Sequence, residues 1–163
     1  MGPRRSDGAA VSQFPFRDRA VRYALDGRPT SAEVCHCRMC QKALGNVFAP
    51  FASVRIAQLA WTCGQPVVFQ SSSVAERGFC YRCGTPLFFR WLDSDRISIT
   101  IGSLDQPDRI APRMQYGIES RLPWLHHVAW LPGTRTEEDQ PMERREVFES
   151  YQNPDCETQP AET

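Results

Sequence analysis

The chain has 163 residues, enough for one domain with a real hydrophobic core, so cross-links are not needed for stability. Its 19 Lys and Arg balance 19 Asp and Glu, and a formal charge of zero gives no broad electrostatic case for nucleic acid or an anionic membrane. No apolar run approaches the ~20 residues of a membrane-spanning helix, and the start of the chain has arginines but no apolar core of a secretory leader, so a cytoplasmic location is expected.

Residues 1–19 are rich in Arg, Ser, Gly and Pro, lack periodicity and are expected to be a disordered or atypical segment. Residues 20–132 form the candidate domain. In "AVRYAL" (20–25) apolar and polar residues alternate up to the turn signal "DGRP", which predicts a strand ended by a turn. A short helical signal follows in "CRMCQKAL" (37–44), and "NVFAPFASVRI" (46–56) predicts a strand bent at Pro50. The runs "PVVFQSS" (66–72) and "PLFFRWL" (86–92) are β-branched or aromatic and bounded by Pro, Gly and Ser. "RISITIGSL" (96–104) puts Ile97, Ile99 and Ile101 on one face, with Ser98 and Thr100 on the other, the period of a half-buried strand. Weak helical signals lie in "DQPDRI" (105–110) and "ESRLPWLHHV" (119–128), the second interrupted by Pro123 unless a helix starts there. From Gly133 onward nine acids face three arginines with few apolar residues, so 133–163 is expected to be an acidic, disordered tail. The fold class predicted is mainly β, antiparallel, with a few short helices.

Of seven cysteines, five sit in two tight clusters. An odd count without a secretory leader reads as metal ligation rather than a disulfide framework. Cys35, Cys37 and Cys40 form C-x-C-x-x-C, and thiolates two and three residues apart converge on one ion if the backbone turns around it. Zinc suits such soft ligands, and three protein ligands with one open position is the pattern of a catalytic zinc. Cys80 and Cys83 form C-x-x-C followed by Gly84, half of a zinc knuckle, which needs two more ligands from elsewhere. Cys63 reads as a strand-end or loop residue and Cys156 as a bystander in the tail. His36, between two ligands, is not expected to ligate, and His126 and His127 read as a helix end. Ser71, Ser72 and Ser73 read as a loop, with no Ser–His–Asp arrangement arguable from their order.

The segments "VCHCRMCQKALG", "SSSVAERGFCYRCGTPLFFR", "ISITIGSLDQPD" and "YGIESRLPWL", in that order, make the chain from about Ala20 to Pro132 resemble the glutathione-dependent formaldehyde-activating enzymes, a family that includes centromere protein V. The resemblance implies a β-tent fold built around zinc. It implies that Cys35, Cys37 and Cys40 hold a catalytic zinc and that Cys80 and Cys83 join a structural one. Family members open the domain with a C-x-C pair that completes the structural site. Here the stretch is "FPFRDRAVRY", with Phe16 and Asp18 at those positions. Asp18 has an oxygen to offer and Phe16 has no donor. Three outcomes follow: loss or weakening of the structural site, which we favour, one zinc shared between the clusters, or an altered start on an intact domain. One zinc is therefore expected.

The implied reaction joins glutathione or a related thiol to formaldehyde, as a carbon–sulfur lyase does in reverse. Three thiolates around Zn²⁺ carry net negative charge, which favours exchange of a thiol ligand over strong polarisation of a carbonyl. Arg77 and Arg121 are candidate partners for glutathione carboxylates, since a guanidinium presents a forked donor set. Trp124 reads as core or pocket wall. The rival reading is a non-catalytic zinc module for protein or nucleic-acid interaction. Scattered arginines and an acidic tail argue against nucleic acid, and no membrane partner is expected. No sequence feature speaks to the oligomeric state.

Overall fold

A computed structural model describes residues 21–150 and 152. The expectations for residues 1–19, Phe16 and Asp18 among them, and for Cys156 lie outside the described residues. In chain order the strands are β1 (Arg22–Leu25), β2 (Ser31–Cys35), β3 (Ala49–Arg55), β4 (Leu59–Cys63), β5 (Val67–Ser72), β6 (Ala75–Phe79), β7 (Pro86–Trp91), β8 (Arg96–Thr100) and β9 (Met114–Tyr116). One short helix, α1 (Arg38–Leu44), joins β2 to β3. Strands β1 and β4 pair as a small antiparallel sheet. The other seven form one sheet in the order β5-β6-β7-β8-β3-β2-β9, antiparallel except where β9 runs parallel to β2. The mainly β architecture with few short helices is thus the one observed.

The large sheet separates two apolar layers, because alternate residues of each strand face opposite ways. On one face Ala52, Val54, Phe88, Ile97 and Ile99 pack with Val21 and Leu25 of the β1 region. Trp61 of β4 lies 6.0 Å from Phe88, ring centre to ring centre, and Tyr23 meets Trp61 edge-on. An ion pair between Arg22 and Asp105, 3.3 Å apart and nearly buried, ties β1 to the turn after β8. On the other face Ala49 and Phe51 gather with Cys35 and Cys40, and Phe89 and Leu44 pack against them.

Several local expectations need correction. Strand β8 ends at Thr100, and Ile101 is buried from a 3-10 turn, Ile101–Ser103, rather than from the strand. Thr100, expected on a polar face, is buried because its hydroxyl donates to the carbonyl of Pro86 at 2.6 Å. Pro50 sits within β3, where pairing with β8 begins only at Phe51, so its missing N–H removes no bond to that neighbour. The two late helical signals are 3-10 turns: Pro107–Arg109 for the first, then Ile118–Ser120 and Leu125–Trp130 on either side of Pro123. Trp124, read as core or pocket wall, is half exposed and stands outside the core. Beyond Gly133 the acidic segment forms two short helices, α2 (Thr136–Asp139) and α3 (Met142–Val147), the second fully exposed. No helix among the described residues is long and apolar enough to cross a membrane.

Candidate metal centre

Strand β2 delivers Cys35 at its last position, where it pairs with Ala49 of β3 and Tyr116 of β9. The chain then turns directly into α1. Cys37 is the N-cap of that helix, and its sulfur accepts from the Cys40 N–H at 3.4 Å. Capping here uses a thiol where Ser or Asp would be usual. Gly45, with φ +59°, closes the helix after only seven residues.

The three sulfurs lie within 4.8 Å of one another, and Cys35 Sγ stands 3.4 Å from Cys37 Sγ. Sulfurs at about 2.3 Å from a tetrahedral zinc would be about 3.8 Å apart. The donor type, number and spread therefore fit zinc with one coordination position left for another ligand. Cys35 and Cys40 are buried and Cys37 is partly open. His36 faces away: its Nε2 pairs with Gln115 Oε1 at 3.0 Å, and it stands outside the sulfur group.

Two residues that sequence reasoning missed hold this turn in place. Gln41 Nε2 donates to the carbonyls of His36, at 2.6 Å, and Ser120, at 3.0 Å, fastening the cysteine loop to the 118–120 turn. Gly117, with φ +66°, lies so close that a Cβ there would come within 2.8 Å of the Cys37 nitrogen. The glycine in "YGIES" was a visible signal, but what it approaches is set by the β2–β9 pairing.

Burial pushes the Cys35 thiol well above its ordinary range. It pushes Cys40 up as well, against the opposing pull of Arg77. At Cys37 burial also raises the thiol, but the Cys40 amide and the neighbouring thiols outweigh it and leave it below the ordinary value. The cluster thus releases its first proton most easily from its most accessible member.

Arg77, on β6, is buried and reaches across to this cluster. Its Nη2 donates to Cys40 Sγ at 3.3 Å, and its guanidinium sits 4.9 Å from the centre of the Phe89 ring. Its Nε and Nη1 have no hydrogen-bond partner among the described residues. Arg77 also lines a cavity of about 560 Å³ between α1 and strands β5 to β7, walled by Met39, Leu44, Phe69 and Phe79 with Lys42. Arg121, the other predicted arginine, is exposed, donates to Gln115 Oε1 at 3.4 Å, and does not line that cavity. The structure therefore brings Arg77 to the three cysteines and leaves Arg121 apart from the cavity.

Cys80 is buried just past β6, and a tight turn stabilised by the Gly84 N–H on the Cys80 carbonyl carries Cys83. Gly84 has φ +73°, as the knuckle geometry requires. Cys83 Sγ lies 3.0 Å from Thr85 Oγ1. Burial raises the Cys83 thiol, but the Thr85 contacts outweigh it and hold it below its ordinary value. Among the described residues no third His, Cys, Asp or Glu joins this pair. Cys63 lies at the end of β4, as its strand-end reading expected. His126 and His127 stack 3.9 Å apart, ring centre to ring centre, on the Leu125–Trp130 turn, outside the sulfur group.

A family model described as glutathione-dependent formaldehyde-activating enzyme matches residues 19–120. A solved structure of a Rhodobacter sphaeroides protein is similar at 19% identity and a TM-score of 0.48, covering 59% of this chain and 92% of that one. No curated protein matches the chain.

Proposed function

The chain belongs to the glutathione-dependent formaldehyde-activating enzyme family, and on that footing we propose that it makes or breaks a carbon–sulfur bond between glutathione, or a related thiol, and an aldehyde. The observation that carries this reading is the tripod of Cys35, Cys37 and Cys40 with a buried arginine bonded to one of its sulfurs. In the forward direction the thiol sulfur bonds to the carbonyl carbon, and the thiol proton ends on the aldehyde oxygen. The reverse expels the thiol and regenerates the carbonyl. No oxidant or reductant is needed.

A zinc ion held by the three cysteines would supply acidification of the incoming thiol, so that its sulfur is a nucleophilic thiolate at neutral pH. The residues of the chain do the rest. Three thiolates outweigh one dication, and the Arg77 guanidinium at Cys40 offsets that excess, so that a fourth, anionic sulfur is less strongly repelled. The unpartnered Nε and Nη1 of Arg77 offer donors to a substrate carboxylate or to the adduct oxygen. Arg121, exposed next to Ser120, whose carbonyl accepts from Gln41 of α1, offers a second guanidinium to the far carboxylate of a glutathione-like peptide. Cys80 and Cys83 are assigned to the second, weakened zinc site.

Residues 20–132 are the working unit in this reading, with 1–19 and 133–163 as flanks. Cys35, Cys37, Cys40, Cys80 and Cys83 are thiols rather than disulfides, which suits a reducing cytoplasm.

The test is the rate at which formaldehyde and S-hydroxymethylglutathione exchange, followed by magnetisation transfer with purified zinc-loaded protein. Exchange should exceed the uncatalysed rate and fall back to it in Cys37→Ser. Wild type and variant both matching the uncatalysed rate would rule the activity out and leave a non-catalytic zinc module.

A further inference from the structure

The cavity beside the cysteines is larger and more apolar than a one-carbon aldehyde calls for. At about 560 Å³ it falls in the range of pockets that enclose whole organic ligands. Its walls are Met39, Ala43 and Leu44 from α1 and Phe69 and Phe79 from the sheet, and among the described residues its charge comes from Lys42 and Arg77. Two of these apolar side chains, Met39 and Phe69, are 49% and 62% exposed. They face solvent instead of the core, and large apolar side chains gathered around a concave opening mark a ligand site more often than chance. Arg77 is the lining residue that links the cavity to the cysteines. Arg77 is 8% exposed, touches Cys40 Sγ, and keeps two further nitrogens without partners among the described residues. A buried, partly unpartnered guanidinium is costly unless a ligand completes it.

We infer that this cavity is the pocket for the apolar group of a larger aldehyde, aliphatic or aromatic, carried as its thiol adduct, with Arg77 meeting the polar end of that adduct beside Cys40. The inference rests on the thiol–aldehyde reading above and names its substrate class. The step is the same addition: the sulfur–carbon bond forms, the carbonyl π bond opens, and the thiol proton goes to the oxygen. Formaldehyde, with no carbon chain, would leave the cavity empty and gain nothing from its walls.

Stable thioethers separate this inference from the reading it rests on. Binding of S-methyl-, S-propyl-, S-hexyl- and S-nonylglutathione to the zinc-loaded full chain is measured by calorimetry. Affinity should rise up to about fourfold per added methylene until the cavity is full. Ala43 is exposed on α1, so Ala43→Trp fills the cavity without disturbing the core. That variant should bind S-methylglutathione as the parent does and lose the gain with chain length. A flat series with S-methylglutathione still bound would overturn the pocket and leave the thiol reading standing. Equal chain-length gain in Ala43→Trp would place the apolar group elsewhere and overturn it too. No binding of any member would overturn the pocket, and failure of glutathione itself to bind would overturn the thiol reading with it.

Discussion

Arg77 Nη2 lies 3.3 Å from Cys40 Sγ, joining the middle of β6 to the first turn of α1 through a single buried bond. The guanidinium favours the ionised form of Cys40 against the burial that raises it. Replacing it, as in Arg77→Gln, leaves the sulfur more reluctant to ionise and the metal less well held. Partners in the outer shell of a metal site typically contribute 10- to 100-fold in affinity, and a loss of about that size is expected here. Zinc competition with a chromophoric chelator measures it. The pH at which half the protein takes up zinc should also move upward, because deprotonating Cys40 becomes harder. Unchanged affinity and an unchanged midpoint would show that the contact is incidental.

Gly117 and Cys37 make the second close relation. Alanine at 117 would meet the Cys37 nitrogen at 2.8 Å while holding φ at +66°, and both effects oppose the native backbone. A destabilisation of about 1–3 kcal/mol is expected for Gly117→Ala, read from denaturant unfolding. Because the clash falls on one of the three clustered cysteines, zinc affinity should drop with it. Gly102→Ala is the control: its Cβ would point into open space, and little change is expected.

These contacts show which parts of the site the sequence makes legible. The spacing of Cys35, Cys37 and Cys40 implies convergence because all three lie on one local turn, the end of β2 running into α1. Ile97 and Ile99 announce a buried face by their period alone. Strands β2, β6 and β9 carry no such signal. In "AERGF" the buried residues are Ala75, Arg77 and Gly78, and an arginine and a glycine disguise a core position. Arg77 could be suspected from its residue type, but its tie to Cys40 comes from the lateral order of β6, β7, β8 and β3, which no local pattern encodes. Arg121 has the same residue type and a comparable sequence setting, yet the topology leaves it outside the cavity. Thr100 reads as a polar-face residue because its hydrogen bond to the Pro86 carbonyl is long-range.

The metal-free protein should lose stability above about pH 9. Buried Cys35 and Cys40 hold their protons past the ordinary thiol value of 9. The unfolded chain releases them near that pH, so beyond it the folded state binds more protons and stability falls as pH rises. Their stabilising contribution is complete below the ordinary value and is lost on the way up to the raised one. Cys37 and Cys83 are shifted the other way, so their contribution grows as pH rises toward 9 and is complete there. Tyr23, raised by its burial despite the Ser103 hydrogen bond, adds to the decline at higher pH. Thermal melts of apo-protein should therefore hold or rise up to about pH 9 and then fall, with a shallower fall in Cys35→Ala. Melts that keep rising through pH 10 would contradict the burial of these thiols.

The two cysteine clusters should behave unequally toward metal. Cys35, Cys37 and Cys40 form a complete tripod from local sequence, whereas Cys80 and Cys83 find no third ligand among the described residues. Two thiolates close too little of a tetrahedron to compete for zinc at cellular levels. Protein purified without added metal should therefore contain about one zinc per chain by elemental analysis, as expected from a three-sulfur site plus an incomplete one. Cys37→Ser should remove most of that metal, and Cys83→Ser should leave it in place while weakening the fold around Cys80, which is packed in the main core. Asp18→Ala supplies the remaining arm. If the parent holds two zinc ions and Asp18→Ala holds one, the stretch "FPFRDRAVRY" contributes a carboxylate ligand, and the site counted here as incomplete is filled from it.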